Sequence, residues 1–535
     1  MTDPASPSRT SHRLGGLVGL LAARGLLRTV LPANGEPPAH VAIGSVQMDS
    51  RRAVPGCLFV AIPGQHADGH DHIPAAVAAG AVAVLAERVT PGLGVPQVLV
   101  SAARPALAVA AAWSLDHPSY DLGVVGITGT DGKTTTAWLV RAMLEACGIQ
   151  TGLTGTIDVI VGGRSLGNPG RATTPEATEL QAHLAAMRAA GDRWAVVEST
   201  SHGLAQDRVG EIAYDVAVLT NITSEHLEFH GTLDAYRAAK RRLFEWLATG
   251  PANPDKGFGK HAVLNLDDPA AASFAAAARD AGATIQTYGA DPEAELRPLS
   301  VREESAGMRI RVRTPRWEDD LVLRLAGRFN VHNALAAIGV GEALGLDPAA
   351  MRAGLAAVEG VPGRMQRIDQ GQPFGVIVDY AHTAESLGKV LDNLAPLAAA
   401  RGGGLIAVFG SAGDRDRTKR VVMGRVAAER CKLVVLTDED SRTEDPDAIL
   451  EEIAAGAERA GGRRGRTLLL IPDRREAIAR ALELAAPGDV VVMAGKGHEK
   501  TIERAAGTIA WDEAAAARDA LATLGWTGGD PWTAR

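Results

Sequence analysis

Short apolar runs, each closed by glycine or by a cluster of polar residues, alternate along the chain with alanine-rich stretches of helical period. Runs of that length bounded by turn residues predict buried parallel strands, and the stretches between them predict crossover helices. From 41 to 120 the pattern gives strands at 46–50, 58–62, 82–86 and 97–100 and a helix over 74–79, a small α/β domain. From 121 it gives strands at 122–127, 194–198, 216–220 and 262–266, helices over 137–146 and 235–247, a β-rich stretch at 310–325 and a helix opening near 330. The helical pattern stops at Val361-Pro362-Gly363-Arg364-Met365, a Pro/Gly turn that predicts a hinge into a third domain. Beyond it, strands at 375–380, 405–409, 433–437, 468–471 and 490–494 alternate with helices, which predicts a second parallel sheet. The first dozen residues are rich in Ser, Pro and Thr and are expected to be a disordered tail. Residues 14–31 read as an amphipathic surface helix, because Arg24 and Arg28 interrupt the apolar run that a signal peptide would need.

A chain of 535 residues exceeds what one core organises, and about three domains are expected. Net charge −8 supplies no overall basic field, so nucleic acid and anionic membrane are unfavoured as main partners. No apolar run is long enough to span a bilayer. Cys57, Cys147 and Cys431 are far apart and lack CxxC spacing, which argues against a disulfide framework or a cysteine zinc site and fits a reducing cytoplasm.

The chemistry starts at Gly126-Ile127-Thr128-Gly129-Thr130-Asp131-Gly132-Lys133-Thr134-Thr135, between a predicted strand and a predicted helix. Glycines at 129 and 132 let backbone N–H groups wrap a polyphosphate, and the helix points its positive end at the same charge. Lys133 can reach the outer phosphates and Thr134 can hold Mg²⁺. The strict spacing would place the first glycine at 127, where Ile stands, so the match is to a variant beginning at Gly126. Two further strands end in Glu198-Ser199-Thr200-Ser201-His202 and in Asn221-Ile222-Thr223-Ser224-Glu225-His226, which makes Glu198 and His226 candidates for a metal shell. From spacing alone Lys240 reads as part of a solvated helix face, Asp49-Ser50-Arg51 before Pro55-Gly56 reads as turn chemistry, and Asn330 and Asn333 share a helical face. In the last third, polar groups gather at four strand ends: Asp379-Tyr380-Ala381-His382, Gly410 to Asp416, Thr437-Asp438-Glu439-Asp440-Ser441-Arg442 and Gly495-Lys496-Gly497-His498-Glu499.

Taken together, Asp49-Ser50-Arg51 with its Pro-Gly-x-Leu-Phe-Val-Ala continuation, Thr128 to Thr135, Thr173-Thr174-Pro175, Glu198-x-x-Ser201-His202, His226-Leu227-x-x-His230-Gly231, Asp379-Tyr380-Ala381-His382-Thr383 and Gly495 to Glu499 resemble the Mur ligases. Within them the resemblance is to the UDP-N-acetylmuramoyl-tripeptide synthetase (MurE) type, over nearly the whole chain. It implies an α/β fold of three domains after the tail at 1–12: a small UDP-muramoyl-peptide-binding domain at 13–120, a central P-loop ATPase domain at 121–360 and a C-terminal Rossmann-like domain at 361–535 that brings the amino acid. The phosphate and UDP-peptide sites are then expected on different domains.

By position, the resemblance implies that Gly129, Thr130, Asp131, Gly132, Lys133, Thr134, Thr135, Asn330, Asn333, Arg364, Asp379 and His382 bind ATP. It implies that Ser50, Thr173, Thr174, Thr200, Gln206 and Arg208 hold the UDP-muramoyl peptide, and that Arg415, Glu439, Asp440, Ser441, Arg442, Gly495 and Glu499 meet the amino acid. The implied catalytic residues are Lys133, Glu198, His226 and Lys240, with two Mg²⁺ ions held through Thr134, Glu198, His226 and a CO₂-derived carbamate on Lys240. The expected reaction is ATP-dependent addition of a diamino acid to UDP-N-acetylmuramoyl-L-alanyl-D-glutamate through an acyl phosphate, in bacterial peptidoglycan precursor synthesis. The partners are these small molecules, and a monomer is expected. Asp131, Val421 and Glu439-Asp440-Ser441 depart from the family pattern, and only the last of these touches substrate choice. Arg442 points to diaminopimelate, while the acidic pair Glu439-Asp440 points to lysine or ornithine, with Arg442 neutralised by Asp440. The first domain argues against a folate-extending ligase, the lack of a four-cysteine ribbon against an amidating one, and the intact catalytic set against an inactive UDP-muropeptide-binding paralogue.

Overall fold

The computed structural model describes residues 12–33, 37–64, 67–168, 172–223, 227–248, 256, 259–304 and 307–528. The chain divides into two compact units, Met1–Arg297 with Leu335–Met351, and Pro298–Ala334 with Arg352–Arg535.

The first unit carries two sheets. The five-stranded one runs in the order Leu27–Leu31, Gln97–Val100, Ala83–Ala86, Cys57–Val60, Ser45–Gln47, with the first strand antiparallel and the rest parallel. The expected helix over 14–31 is corrected here. It ends at Ala23, Gly25 takes the left-handed φ of +67° that glycine accepts at a helix end, and Leu27–Leu31 returns as the edge strand. Leu14, Leu17 and Leu21 pack under the sheet with the helix Ala103–Trp113, and Arg24 leaves the helix end to clasp Glu211 at 2.9 and 2.7 Å. The expected tail lies outside the described residues except for His12, which with Arg13 pairs with Ala42–Ile43.

The eight-stranded sheet has the order Arg164–Ser165, Val159–Val161, Thr151–Thr154, Trp194–Glu198, Gly123–Thr128, Val216–Leu219, His261–Asn265, Thr284–Tyr288, parallel from the third strand on. Gly123–Thr128 lies inside this sheet with every residue buried, which is why it reads as an uninterrupted apolar run. The register sets Glu198 beside Ile127 and Leu219 beside Thr128, so Glu198, Gly129 and Thr220 emerge at one sheet edge. In an open parallel sheet that carboxyl edge is where ligands bind.

Beyond Arg297, the second unit holds a three-stranded sheet, formed by the strand Arg297–Glu304, which starts at the division, with Gly307–Arg313 and Glu318–Leu323, and a six-stranded one. The latter runs Gln366–Arg367, Gly375–Asp379, Val490–Ala494, Leu405–Phe409, Leu433–Leu436, Leu468–Leu470, parallel but for the first strand. Separate cores cover its faces, one with Leu387, Leu391, Met423 and Ile453, the other with Ile478, Leu482, Ala517 and Leu521. Its carboxyl edge is braced by Arg474, fully buried, which donates to Glu513 at 2.6 Å, to the Asp438 carbonyl at 3.1 Å and to the Ala494 carbonyl at 2.8 Å. Removing one member of a buried pair strands the other charge, so Glu513→Ala is expected to lose about 3–5 kcal/mol of stability, and Arg474→Met/Glu513→Leu clearly less. Urea unfolding of the two variants checks this, and a single variant as stable as the wild type would contradict it. No described helix is long and apolar enough to cross a membrane.

Candidate active site

The phosphate loop is held in shape before any ligand arrives. Gly129 has φ +146°, and a Cβ there would fall 1.8 Å from Thr220 Oγ1, so a side chain is excluded on both counts. Thr220 donates to the Asp131 carbonyl at 2.6 Å, and the Asn221 amide accepts from Asp131 N at 3.0 Å and donates to its carbonyl at 3.1 Å. Thr130 Oγ1 meets Tyr236 Oη at 2.9 Å and accepts from Thr223 N at 2.9 Å. Gly132, at φ +83°, opens the helix Lys133–Ala146, whose first turn buries Thr134 and Thr135. Lys133 Nζ folds back onto the Gly129 and Thr130 carbonyls at 2.9 and 2.8 Å. Gly126 is not part of this loop. It lies inside the strand, where a Cβ would strike the ring of Tyr214 at 2.6 Å and Leu243 at 2.7 Å, so it is a packing glycine and the loop begins at Gly129.

Glu198 is fully buried beside the loop and accepts from Thr134 Oγ1 at 2.8 Å, Thr156 N at 3.0 Å and Thr156 Oγ1 at 3.0 Å. A Cβ on Gly155 would come within 2.1 Å of this carboxylate. A carboxylate and two hydroxyls form a hard oxygen set of the kind Mg²⁺ takes together with phosphate and water, so these residues fit the ion. No group of three or more His, Cys, Asp or Glu placed to hold a metal occurs among the described residues, and His226 lies outside them.

Lys240 does not lie on a solvated face. It is 1% exposed on the helix Leu233–Glu245, with Nζ 2.6 Å from the Gly129 carbonyl and 4.6 Å from the centre of the Tyr236 ring. The sequence held the signal: Tyr236, Lys240, Leu243 and Phe244 form a helical stripe, and all four are buried.

Five of the six residues expected to hold the UDP-peptide come together next to this cluster. Thr173 Oγ1 lies 3.0 Å from Thr156 Oγ1, Thr174 donates to the Glu198 carbonyl at 2.7 Å, and Thr200 N and Oγ1 donate to Thr174 Oγ1 at 3.1 Å each. Arg208 donates to the Thr174 carbonyl at 3.1 Å and to Gln206 Oε1 at 2.8 Å, and pairs with Glu176 at 3.0 Å. These five residues adjoin the phosphate loop on the same sheet edge. Ser50 stands apart on the turn Ser50–Arg52, where the Asp49 side chain accepts from Arg51 N. The hydrogen bonds from Arg51 hold the Asp49 carboxyl down to about 2, and Arg52 ties the turn to Glu179 at 2.8 Å.

The second unit gathers the remaining candidates. Asn330 donates to the Ala326 carbonyl at 2.6 Å and accepts from the Asn333 amide at 2.8 Å. Asp379 accepts from Met365 N and Ala381 N at 2.7 and 2.8 Å, and His382 Nδ1 lies 2.9 Å from the Tyr380 carbonyl. The Arg364 guanidinium sits 4.9 Å from the Tyr380 ring centre. Gly363, at φ +64°, lets its turn close on Gly497 and His498, where a Cβ would be 2.2 Å from His498 N. Lys496, buried, donates to Asp440 at 2.9 Å and Glu499 at 2.5 Å. Arg442 bonds not Asp440 but Glu503, at 2.9 Å, on the strand Thr501–Arg504. Glu439 and Ser441 are buried, Gly495 has φ +99°, and Arg415 is exposed. Sequence reasoning missed Thr156, Thr220, Tyr236 and Glu503.

Comparison with known proteins agrees with this geometry. Residues 42–114 match the Mur ligase family catalytic domain, 127–341 the Mur ligase middle domain, and 363–497 the Mur ligase glutamate ligase domain. A UDP-N-acetylmuramyl-tripeptide synthetase of Roseiflexus sp. is 49% identical over 92% of this chain and 97% of its own. A UDP-N-acetylmuramoyl-L-alanyl-D-glutamate--2,6-diaminopimelate ligase of Solibacter usitatus is 40% identical over 91% of this chain and 95% of its own. A solved structure of a ligase with that same name superposes with TM-score 0.66 at 29% identity, covering 96% of this chain and 100% of that one. With its phosphate loop, its buried Glu198 and Lys240 and this breadth of similarity, the chain belongs to the Mur ligase family.

Proposed function

We propose that this protein is an ATP-dependent ligase that adds the third amino acid to UDP-N-acetylmuramoyl-L-alanyl-D-glutamate in the bacterial cytoplasm, a step in peptidoglycan precursor synthesis. The observation that carries the reading is the contact of Thr134 with Glu198 at 2.8 Å beside a preformed phosphate loop, with the substrate-side hydroxyls of Thr173 and Thr174 linked to the same cluster.

A carboxylate is a poor acyl donor at neutral pH, so it must be activated. The D-glutamate carboxylate oxygen attacks the γ-phosphorus of ATP, the bond to the bridging oxygen breaks, and ADP leaves with that electron pair. Lys133, released from the loop carbonyls, follows the charge on the transferring phosphoryl group, and the loop N–H groups cradle the other phosphates. The amine of the incoming amino acid then attacks the acyl carbon, loses a proton and expels phosphate, leaving an amide. Thr134, Glu198 and a carbamate formed when the neutral Lys240 amine adds to CO₂ and sheds a proton would hold magnesium, together with His226. Magnesium bound there supplies charge neutralisation to the phosphates. Thr173, Thr174, Thr200, Gln206, Arg208 and Ser50 orient the UDP-peptide, while Asn330, Asn333, Arg364, Asp379 and His382 hold the nucleotide. The residues from Arg415 to Glu499 named above receive the amino acid.

The test is release of phosphate from ATP with the UDP-dipeptide and a panel of amino acids. Release that requires both co-substrates supports the reading, and no release with any amino acid would sink it.

A further inference from the structure

The amino acid added by the proposed reaction is the open element of that reading, and the second unit carries an observation on it. Arg442 has φ +51°, is bridged to Arg504, and is fastened at three points: its backbone N donates to the Glu503 carbonyl at 3.0 Å, Nε to Glu503 Oε2 at 2.9 Å and Nη1 to the Gly413 carbonyl at 3.1 Å. Glu503 is fixed in turn, since its backbone N donates to Asp440 Oδ1 at 2.8 Å, the oxygen that also receives Lys496 at 2.9 Å.

We propose that Glu503 is a positioning residue that occupies Arg442 in place of a substrate carboxylate, so that the site takes an α-amino acid whose side chain ends in an ammonium and carries no second carboxylate. The inference rests on the ligase reading above. A guanidinium that clamps the distal carboxylate of diaminopimelate must offer a free fork. Here the Nε side of that fork is filled, and an arriving carboxylate would meet the like charge of Glu503 at the same partner. Arg415, two residues beyond Gly413, is an exposed residue whose guanidinium can meet the one carboxylate every α-amino acid carries.

An independent observation points the same way. Glu439 is 5% exposed, and its Oε2 has no hydrogen-bond partner among the described residues. This oxygen lies 2.2 Å from where a Cβ on Gly495 would stand, at one of the positions expected to meet the amino acid. The neighbouring cations are committed elsewhere: Lys496 to Asp440 and Glu499, Arg504 to Asp438, Arg474 to Glu513, and Lys419 to the His382 carbonyl at 2.9 Å. Burial pushes the Glu439 carboxyl up, against the pull of Arg474, Lys419 and Lys496. An ammonium donor is what this orphaned oxygen lacks.

The experiment compares kcat/KM for L-lysine, L-ornithine and meso-diaminopimelate in the full chain with ATP, Mg²⁺ and the UDP-dipeptide, for the wild type and Glu503→Gln. The wild type should favour lysine or ornithine, and Glu503→Gln should shift the ratio toward diaminopimelate by roughly tenfold or more, chiefly through KM. A wild type that prefers diaminopimelate overturns the proposal, even if the variant does not fold. So does a variant in which all three substrates fall together, the mark of a merely structural role. Turnover with diaminopimelate alone removes only this inference, whereas turnover with no amino acid removes the ligase reading as well.

Discussion

Lys133→Ala is expected to lower kcat on the order of 10³-fold while leaving affinity for the UDP-dipeptide within about twofold. The ammonium is the only cationic side chain in the phosphate loop, and its two hydrogen bonds go to the Gly129 and Thr130 carbonyls, not to any residue proposed to hold the peptide. The loop keeps its shape without Lys133, because Thr220 and Asn221 hold Asp131 and Tyr236 holds Thr130. What is lost is charge that follows the phosphoryl group through its transfer, an interaction stronger in the transition state than in the ground state. Steady-state kinetics and calorimetric titration of the UDP-dipeptide separate the two effects. Equal loss of turnover and binding in a folded variant would contradict the assignment.

Lys240→Ala is expected to lose about 10²–10³-fold in kcat, and added acetate should restore part of it. Lys240 is buried on the helix that packs against the loop, and its Nζ reaches the Gly129 carbonyl at 2.6 Å. The bare ammonium would repel a metal held by Thr134 and Glu198. As a carbamate the same side chain becomes an oxygen ligand, and a small carboxylate in the space left by alanine can stand in for it. Acetate discriminates between roles, since a purely packing lysine gains nothing from it and Lys133→Ala should not respond. Wild-type turnover of Lys240→Ala in CO₂-depleted buffer would remove the carbamate.

Much of this architecture is legible in the sequence because parallel strands buried on both faces must be apolar throughout and must end in polar turns. The strand Trp194–Glu198 coincides with its expected span, and Gly123–Thr128 and Val216–Leu219 lie within a residue of theirs at each end. The helix expected over 14–31 was less legible, because Gly25 divides an apolar run that serves first as helix and then as edge strand. Gly126 misled for a different reason: a glycine next to a glycine-rich loop looks like part of it, and only the approach of Tyr214 reveals its packing role. Thr156 and Glu503 escaped because each acts through a partner far along the chain, Glu198 and Arg442 respectively, and no local period records such a pairing. Lys240 lay between these cases, its stripe readable but its charge pointing to solvent.

The central claim is that this chain activates a carboxylate by phosphorylating it. The most direct measurement uses UDP-N-acetylmuramoyl-L-alanyl-D-glutamate labelled with ¹⁸O in the reacting carboxylate, turned over with ATP and the preferred amino acid, with mass analysis of the phosphate released. The account predicts that one ¹⁸O passes from carboxylate to inorganic phosphate in each turnover, since the attacking oxygen leaves with phosphorus when the amide forms. Amide formation with unlabelled phosphate would contradict it.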